Sequence, residues 1–126
     1  MKTIMKSAAV LVATMTISLN AFAQETKKPA SPPATATGKI KDATITIAYS
    51  SPSVKGRTIW GGLEAYDKVW RAGANENTVI QFSHPATVQG EKVPAGSYGL
   101  FFVINQDNTG EVILSKDYKS WGSFWY

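Results

Sequence analysis

The sequence predicts an all-β domain, a small antiparallel β-sandwich or partly open barrel with little helix, and three observations support this. Apolar and polar residues alternate in short runs such as residues 43–49 and 77–83, which is the period of a half-buried strand. Glycine, proline, asparagine and serine separate these runs at close spacing, as turns do in all-β proteins. No segment carries a sustained helical period. Residues 64–73 could make one helical turn, but the segment is too short to be assigned as a helix.

The individual elements follow from the same patterns. In residues 43–49, Ile45, Ile47 and Tyr49 share one face, and Pro52 ends the strand because proline cannot donate to a ladder. Residues 54–63 contain three glycines and are predicted to form a loop or a bulged strand. Further strands are predicted at residues 77–83, 86–88, 98–104 and 111–115, with turns at 89–92, 94–96 and 105–110.

The first 23 residues have the pattern of a secretory signal peptide. Lys2 and Lys6 form a basic start, an apolar run follows at residues 7–19, and small residues at 21–23 end the segment. The apolar run is shorter than the roughly 20 residues that a membrane span needs. We therefore expect cleavage after Ala23, no membrane span afterwards, and a periplasmic or extracellular protein.

Residues 24–38 are rich in proline, alanine and threonine and contain no aromatic residue. Such a segment buries too little apolar surface to offset its ordering entropy, so it is predicted to be a flexible linker. A single β domain is then expected at residues 39–126. Strand-like aromatic sequence continues to Tyr126 without a polar tail, which predicts that the chain stops within an element.

The composition excludes several classes of function. The chain has no cysteine and one histidine, His84, so thiolate nucleophiles, cysteine-ligated metals and histidine-pair metal sites are excluded. No metal or other cofactor is predicted. Without Lys2 and Lys6, eleven basic and nine acidic residues remain, and this small excess lacks the basic stripe that nucleic acid requires. Nothing in the sequence specifies an oligomeric state.

Residues 55–76 concentrate the side chains suited to ligand binding. Indole faces stack on sugar rings, and arginine, asparagine and glutamate form directed hydrogen bonds with hydroxyls and carboxylates. We therefore predict a binding module for a small polar ligand, such as a carbohydrate or a cell-envelope fragment. The candidate site residues are Arg57, Trp60, Arg71, Asn75 and Glu76.

A structural interpretation of the same segment stays open. Trp70 would anchor the core, Arg71 would pair with Asp67 or Glu76, and Gly73 would supply a positive φ at the entry to the next strand.

Two other functions also remain open. One is a hydrolase with Glu76 or His84 as general base, which needs a nucleophile or a positioned water within about 3 Å in a cleft. The serines near the predicted strand ends lie in no G-x-S-x-G turn, so binding is favoured over catalysis. The other is a structural or assembly role in the cell envelope, with residues 121–126 as an exposed apolar face.

Three motifs carry a family resemblance: "SPSVKGRTIWGG" from Ser51, "VWRAGANE" from Val69 and "PAGSYGL" from Pro94. From about Ile40 to the C-terminus, the chain resembles the exported bacterial family known as domain of unknown function 2911. The resemblance implies one secreted, mostly β domain and no assigned reaction. Members usually continue past the final W-G motif, so an edge strand is expected to be missing. The family tends to have proline and glycine beside Tyr66, and their absence here makes Asp67 a weak catalytic candidate.

Overall fold

The computed structural model describes residues 27–121. The predicted signal peptide at 1–23 and the last five residues, 122–126, lie outside the described residues. Within the described part there is no helix, the strands form antiparallel sheets, and the sheets do not close into a barrel. The prediction of an all-β fold is therefore confirmed. The same residues include no helix that is long and apolar enough to cross a membrane.

The described residues form eight strands: β1 (Pro33–Ile40), β2 (Ala43–Ser50), β3 (Val69–Arg71), β4 (Val79–Phe82), β5 (Ala86–Val88), β6 (Glu91–Val93), β7 (Gly96–Ile104) and β8 (Gly110–Ser115). These strands make one six-stranded and one two-stranded sheet. The large sheet runs in the order β1-β2-β4-β7, and β7 also pairs with β3 and β8. The hairpin β5–β6 is the second sheet.

Strand β1 corrects the predicted linker. It pairs with β2 along its whole length, from Pro33 opposite Ser50 to Ile40 opposite Ala43. The prediction of a flexible segment is therefore wrong over residues 33–38, and the folded part begins before Lys39. The side chains of β1 are almost all exposed, so burial does not order this segment. Its backbone is ordered by the hydrogen-bond ladder with β2. Amino-acid composition does not reveal such backbone pairing.

Strand β3 lies in a segment for which no regular element was predicted. Residues 64–73 contain a three-residue strand whose central residue, Trp70, lies opposite Phe102 of β7. The preceding residues 54–63 form a loop, with one isolated parallel bridge between Trp60 and Glu64. A three-residue strand carries no measurable period, so its pairing with β7 decides its conformation.

The sheet has a packed core on one face. Phe82, Val93 and Tyr98 form a buried cluster, and the Phe82 and Tyr98 rings meet edge to face with centroids 6.1 Å apart. Because Ala86 and Val88 also pack against this cluster, the β5–β6 hairpin covers this part of the sheet.

Phe101 lies on the opposite face and is completely buried. The segment after β8 crosses this face, since a Cβ on Gly99 would lie 3.0 Å from the Phe101 ring and 3.3 Å from the Asp117 carbonyl oxygen.

Candidate functional site

The loop between β2 and β3 has a conformation that is fixed by its own backbone hydrogen bonds. The Arg57 amide donates to the Val54 carbonyl at 3.1 Å, and the two residues between them have φ values of 52° and 69°, as in a type I′ turn. A second turn follows, in which the Glu64 amide donates to the Ile59 carbonyl at 2.8 Å. The loop therefore presents its side chains from a defined backbone.

The Arg57 guanidinium is held in place by this loop. Its Nε donates to the Val54 carbonyl at 2.9 Å and its Nη2 donates to the Ser53 carbonyl at 2.7 Å. A guanidinium has five N–H donors, so about three remain for other acceptors. Because both partners are neutral carbonyls, the positive charge of Arg57 is not compensated by these bonds.

Strand β3 presents Arg71 beside this loop. The Ala72 amide donates to the Leu100 carbonyl at 3.4 Å. Hydrogen-bonded and non-hydrogen-bonded residue pairs alternate along an antiparallel ladder. Because Ala72 belongs to a hydrogen-bonded pair, the backbone N–H and C=O of the preceding residue, Arg71, point away from β7. The Arg71 guanidinium lies 6.0 Å from the Trp121 ring centroid.

Arg71 does not form the ion pair of the structural interpretation. Neither Asp67 nor Glu76 reaches its guanidinium within residues 27–121, so that pairing is wrong. Trp70 is only half-buried and contacts the rings of Trp60 and Phe102, with centroids 5.1 Å and 5.5 Å away. It therefore joins an aromatic row at the edge of the sheet.

The end of the "VWRAGANE" motif is a sharp corner between β3 and β4. Gly73 has a φ of 74°, which confirms the predicted positive φ. Thr78 closes the corner by donating from Oγ1 to the Ala72 carbonyl at 2.6 Å, and the Ala74 amide donates to the Ser50 carbonyl at 3.1 Å. The corner therefore fixes the position of the strand that carries Arg71.

A cleft of about 390 Å³ lies between the loop and β3, within the usual size range of small-molecule sites. Arg57 and Arg71 both line it, and Glu64 is the one acidic residue among the described residues that line it. The rest of the lining is largely apolar and includes Val54, Ile59, Leu63 and Trp70. The arrangement offers two cations beside an apolar surface.

The structure brings together only part of the predicted site. Arg57 and Arg71 line the same cleft. Trp60 is 40% exposed and does not line it, although its ring meets that of Trp70 edge to face. Asn75 is exposed beyond the corner with a φ of 60°. Glu76 lines a separate cavity of about 230 Å³ beside β1 and β2. The apolar lining was not predicted, although Val54 and Leu63 are large apolar residues in a glycine-rich loop.

A family model described as Protein of unknown function (DUF2911) matches residues 31–126. The chain belongs to the domain of unknown function 2911 family. No curated protein and no solved structure matches it. In this DUF2911 domain the match includes all of β1, so it begins before Ile40, where the motif resemblance starts. Two of the three resemblance motifs, from Ser51 and from Val69, supply most of the residues around the cleft.

His84 of the DUF2911 domain lies far from the β3–β4 corner, just past the opposite end of β4. Its Nδ1 is 2.8 Å from the Ser83 hydroxyl, which also accepts the Thr44 amide at 2.7 Å. Both side chains are exposed, and no described carboxylate hydrogen-bonds the His84 ring. Within residues 27–121, no group of three or more His, Cys, Asp or Glu residues is placed to hold a metal ion.

Proposed function

We propose that this domain binds a small polar ligand, such as a carbohydrate or a cell-envelope fragment, in the cleft between the β2–β3 loop and β3. The observation that carries the proposal is the meeting of Arg57 and Arg71 on one cavity with Trp70. Guanidinium groups donate directed hydrogen bonds to oxygen acceptors, and an apolar wall with an indole suits the face of a ring.

The rigidity of the cleft supports the same proposal. Arg57 is already oriented by two carbonyls, and the loop that carries it is closed by backbone hydrogen bonds. A site that is ordered before binding loses less conformational entropy when the ligand arrives.

The outer edge of β3 adds polar backbone groups. The N–H and C=O of Arg71 point away from β7, as the ladder alternation requires. They offer a donor and an acceptor to a polar ligand beside the guanidinium. We place this binding in the periplasm or outside the cell, on the support of the pattern in residues 1–23 alone.

The test is an NMR screen of the full chain with neutral and charged monosaccharides and with soluble peptidoglycan fragments. We expect at least one compound to shift the amide signals of Arg71 and Gly73, and we expect Arg71→Gln to remove that response while thermal stability holds. Glu76→Gln is the matched control, because Glu76 lines the other cavity. A response that survives Arg71→Gln, or a panel that leaves the cleft signals unmoved, contradicts the proposal.

A further inference from the structure

We infer that the ligand of this cleft carries an anionic group, a carboxylate or a phosphate, which is held between Arg57 and Arg71 while an apolar or ring-shaped part lies against Trp70. The inference rests on the proposed function and narrows its ligand class.

The distribution of arginine in the chain is the main observation. The sequence has eleven lysines and only two arginines, Arg57 and Arg71. Both arginines line this one cleft, and none of the lysines in residues 27–121 lines it. Arginine differs from lysine by a planar fork of donors that matches carboxylate and phosphate oxygens in pairs. The residue type selected for this cleft is therefore the one suited to an oxyanion.

The charge of the cleft is not balanced by its own residues. Among the described residues, the lining includes two arginines and one acidic residue, Glu64. Neither arginine forms an ion pair with Glu64, or with any other described residue. A neutral ligand would leave the charges of both arginines without a counter-charge. An anion would offset these charges as well as accept the hydrogen bonds of the guanidinium groups.

Several donors of the two arginines remain available to an oxyanion. Arg57 has used two of its N–H groups on the Ser53 and Val54 carbonyls, and these bonds orient the rest of the guanidinium. Arg71 contacts the Trp121 ring and forms no ion pair with a described carboxylate. The Arg71 backbone N–H on the open side of β3 is a further donor, and backbone N–H groups bind anions well.

The apolar lining indicates that the anion is only part of the ligand. Val54 and Leu63 are 56% and 57% exposed, and both border the cleft beside Ile59 and Trp70. Exposed apolar side chains grouped around a cavity mark a binding surface. The structure therefore favours an acid with a ring or an apolar body over an inorganic ion.

The test compares probes that share a ring and differ in charge. Methyl glucoside, glucuronate, glucose 6-phosphate and inorganic phosphate are titrated separately into the full chain, and the amide shifts of Arg71, Gly73 and Glu64 are followed by NMR. We expect glucuronate or glucose 6-phosphate to bind at least tenfold more tightly than methyl glucoside and than inorganic phosphate. The stronger of the two acids distinguishes a carboxylate from a phosphate ligand.

Variants then assign that preference to the arginines. Arg71→Gln and Arg57→Gln should each remove the preference for the charged sugar, and Arg71→Lys should recover only part of it because lysine keeps the charge without the fork. Lys55→Gln, which removes a charge from the same loop without touching the cleft lining, should keep it. If Arg57→Gln disturbs the loop, the Arg71 variants decide the result alone.

The outcomes separate this inference from the proposed function. Equal binding of methyl glucoside and the two acids at the cleft amides overturns the anionic ligand and leaves the binding module standing. A preference for acids that persists in Arg71→Gln also overturns it. If none of the four probes shifts the amide signals of the cleft residues at probe concentrations of tens of millimolar, the inference of an anionic ligand is overturned. The wider screen of sugars and peptidoglycan fragments then decides whether the domain is a binding module.

Discussion

Gly73 forms the corner between β3 and β4 with a backbone that suits glycine and with no room for a side chain. Its φ is 74°, and a Cβ there would lie 2.7 Å from the Thr78 hydroxyl and 3.0 Å from the Ser50 carbonyl oxygen. The left-handed conformation alone costs another residue roughly 1–2 kcal/mol. We expect Gly73→Ala to lower the free energy of unfolding by more than this, as measured by urea denaturation.

Gly90 provides the matched control for Gly73. Its φ is 84°, but a Cβ there would meet no atom within 4 Å. Gly90→Ala should therefore show the cost of the left-handed backbone without a steric clash. Equal losses in the two variants would show that packing at the Gly73 corner contributes nothing.

Thr109 controls the ionisation of Asp107 in the turn between β7 and β8. The Thr109 hydroxyl and backbone N–H donate to Asp107 Oδ1 at 2.6 Å and 3.0 Å. These bonds favour the carboxylate and lower the pKa of Asp107 below its ordinary value of 3.8. A lowered pKa stabilises the fold above pH 3.8, and this contribution is lost as the pH falls through the folded-state value.

Removing the Thr109 hydroxyl should therefore raise the pKa of Asp107 towards 3.8. The fold should then lose less stability when Asp107 is protonated at low pH. The change is Thr109→Val, and the measurement is an NMR titration of the Asp107 carboxyl carbon. Thr109→Ser keeps the hydroxyl and should keep the low pKa. An unchanged pKa in Thr109→Val would mean that the hydroxyl is not its main cause.

At the scale of elements, β1 is held by backbone hydrogen bonds rather than by burial. The Ser51 amide donates to the Pro32 carbonyl at 2.9 Å, and the ladder alternation then makes Ala36, opposite Ile47, a hydrogen-bonded residue. Thr37 is the next residue, and its N–H points away from β2.

Proline substitutions test this arrangement. Ala36→Pro removes a ladder donor and should destabilise the domain by at least about 1 kcal/mol in urea denaturation, with faster hydrogen exchange in β2. Thr37→Pro should have a much smaller effect, because proline is tolerated where the N–H of an edge strand faces solvent. Equal tolerance of both substitutions would support the flexible segment that the composition predicts.

At the scale of the whole molecule, the second face of the sheet depends on Phe101. This side chain has no exposed surface and packs over Gly99, where residues 117 and 118 cross the sheet. Replacing a buried phenylalanine with alanine costs about 3–5 kcal/mol, against a total of about 5–15 kcal/mol for a typical domain.

We therefore expect Phe101→Ala to lose a large part of the stability of the domain, as shown by its urea midpoint. Val112→Ala is the control, because Val112 in the neighbouring strand β8 is 48% exposed and exposed changes cost little. A small loss in Phe101→Ala would show that the face it covers is not a stabilising core.

The alternation of residues was enough to predict most of the strands. β5 begins and ends at its predicted residues, β2, β7 and β8 extend one or two residues further than predicted, and β4 is shorter. These strands carry buried or half-buried apolar residues on a period of two, so a local window records their environment. β1, β3 and β6 were missed. β1 buries almost no side chain, β3 and β6 span three residues each, and β6 begins within the predicted turn at 89–92.

The candidate site was predicted in part for a related reason. Arg57 and Arg71 were identified by residue type, and they meet because the β2–β3 loop folds against β3. Glu76 was grouped with them by closeness in sequence, but the turn at Gly73 carries the chain past the cleft to another cavity. Sequence distance does not report which side of a corner a side chain occupies.

The amino-acid sequence alone determined the all-β class and, through its motifs, membership of the domain of unknown function 2911 family. Both depend on local residue order, which a window of the sequence contains. Only the tertiary structure decided that β1 belongs to the sheet, that Arg71 lacks the ion pair with Asp67 or Glu76, and that the two arginines share one cleft. Those features arise from pairing between segments distant in the chain, and no local pattern specifies which segments meet.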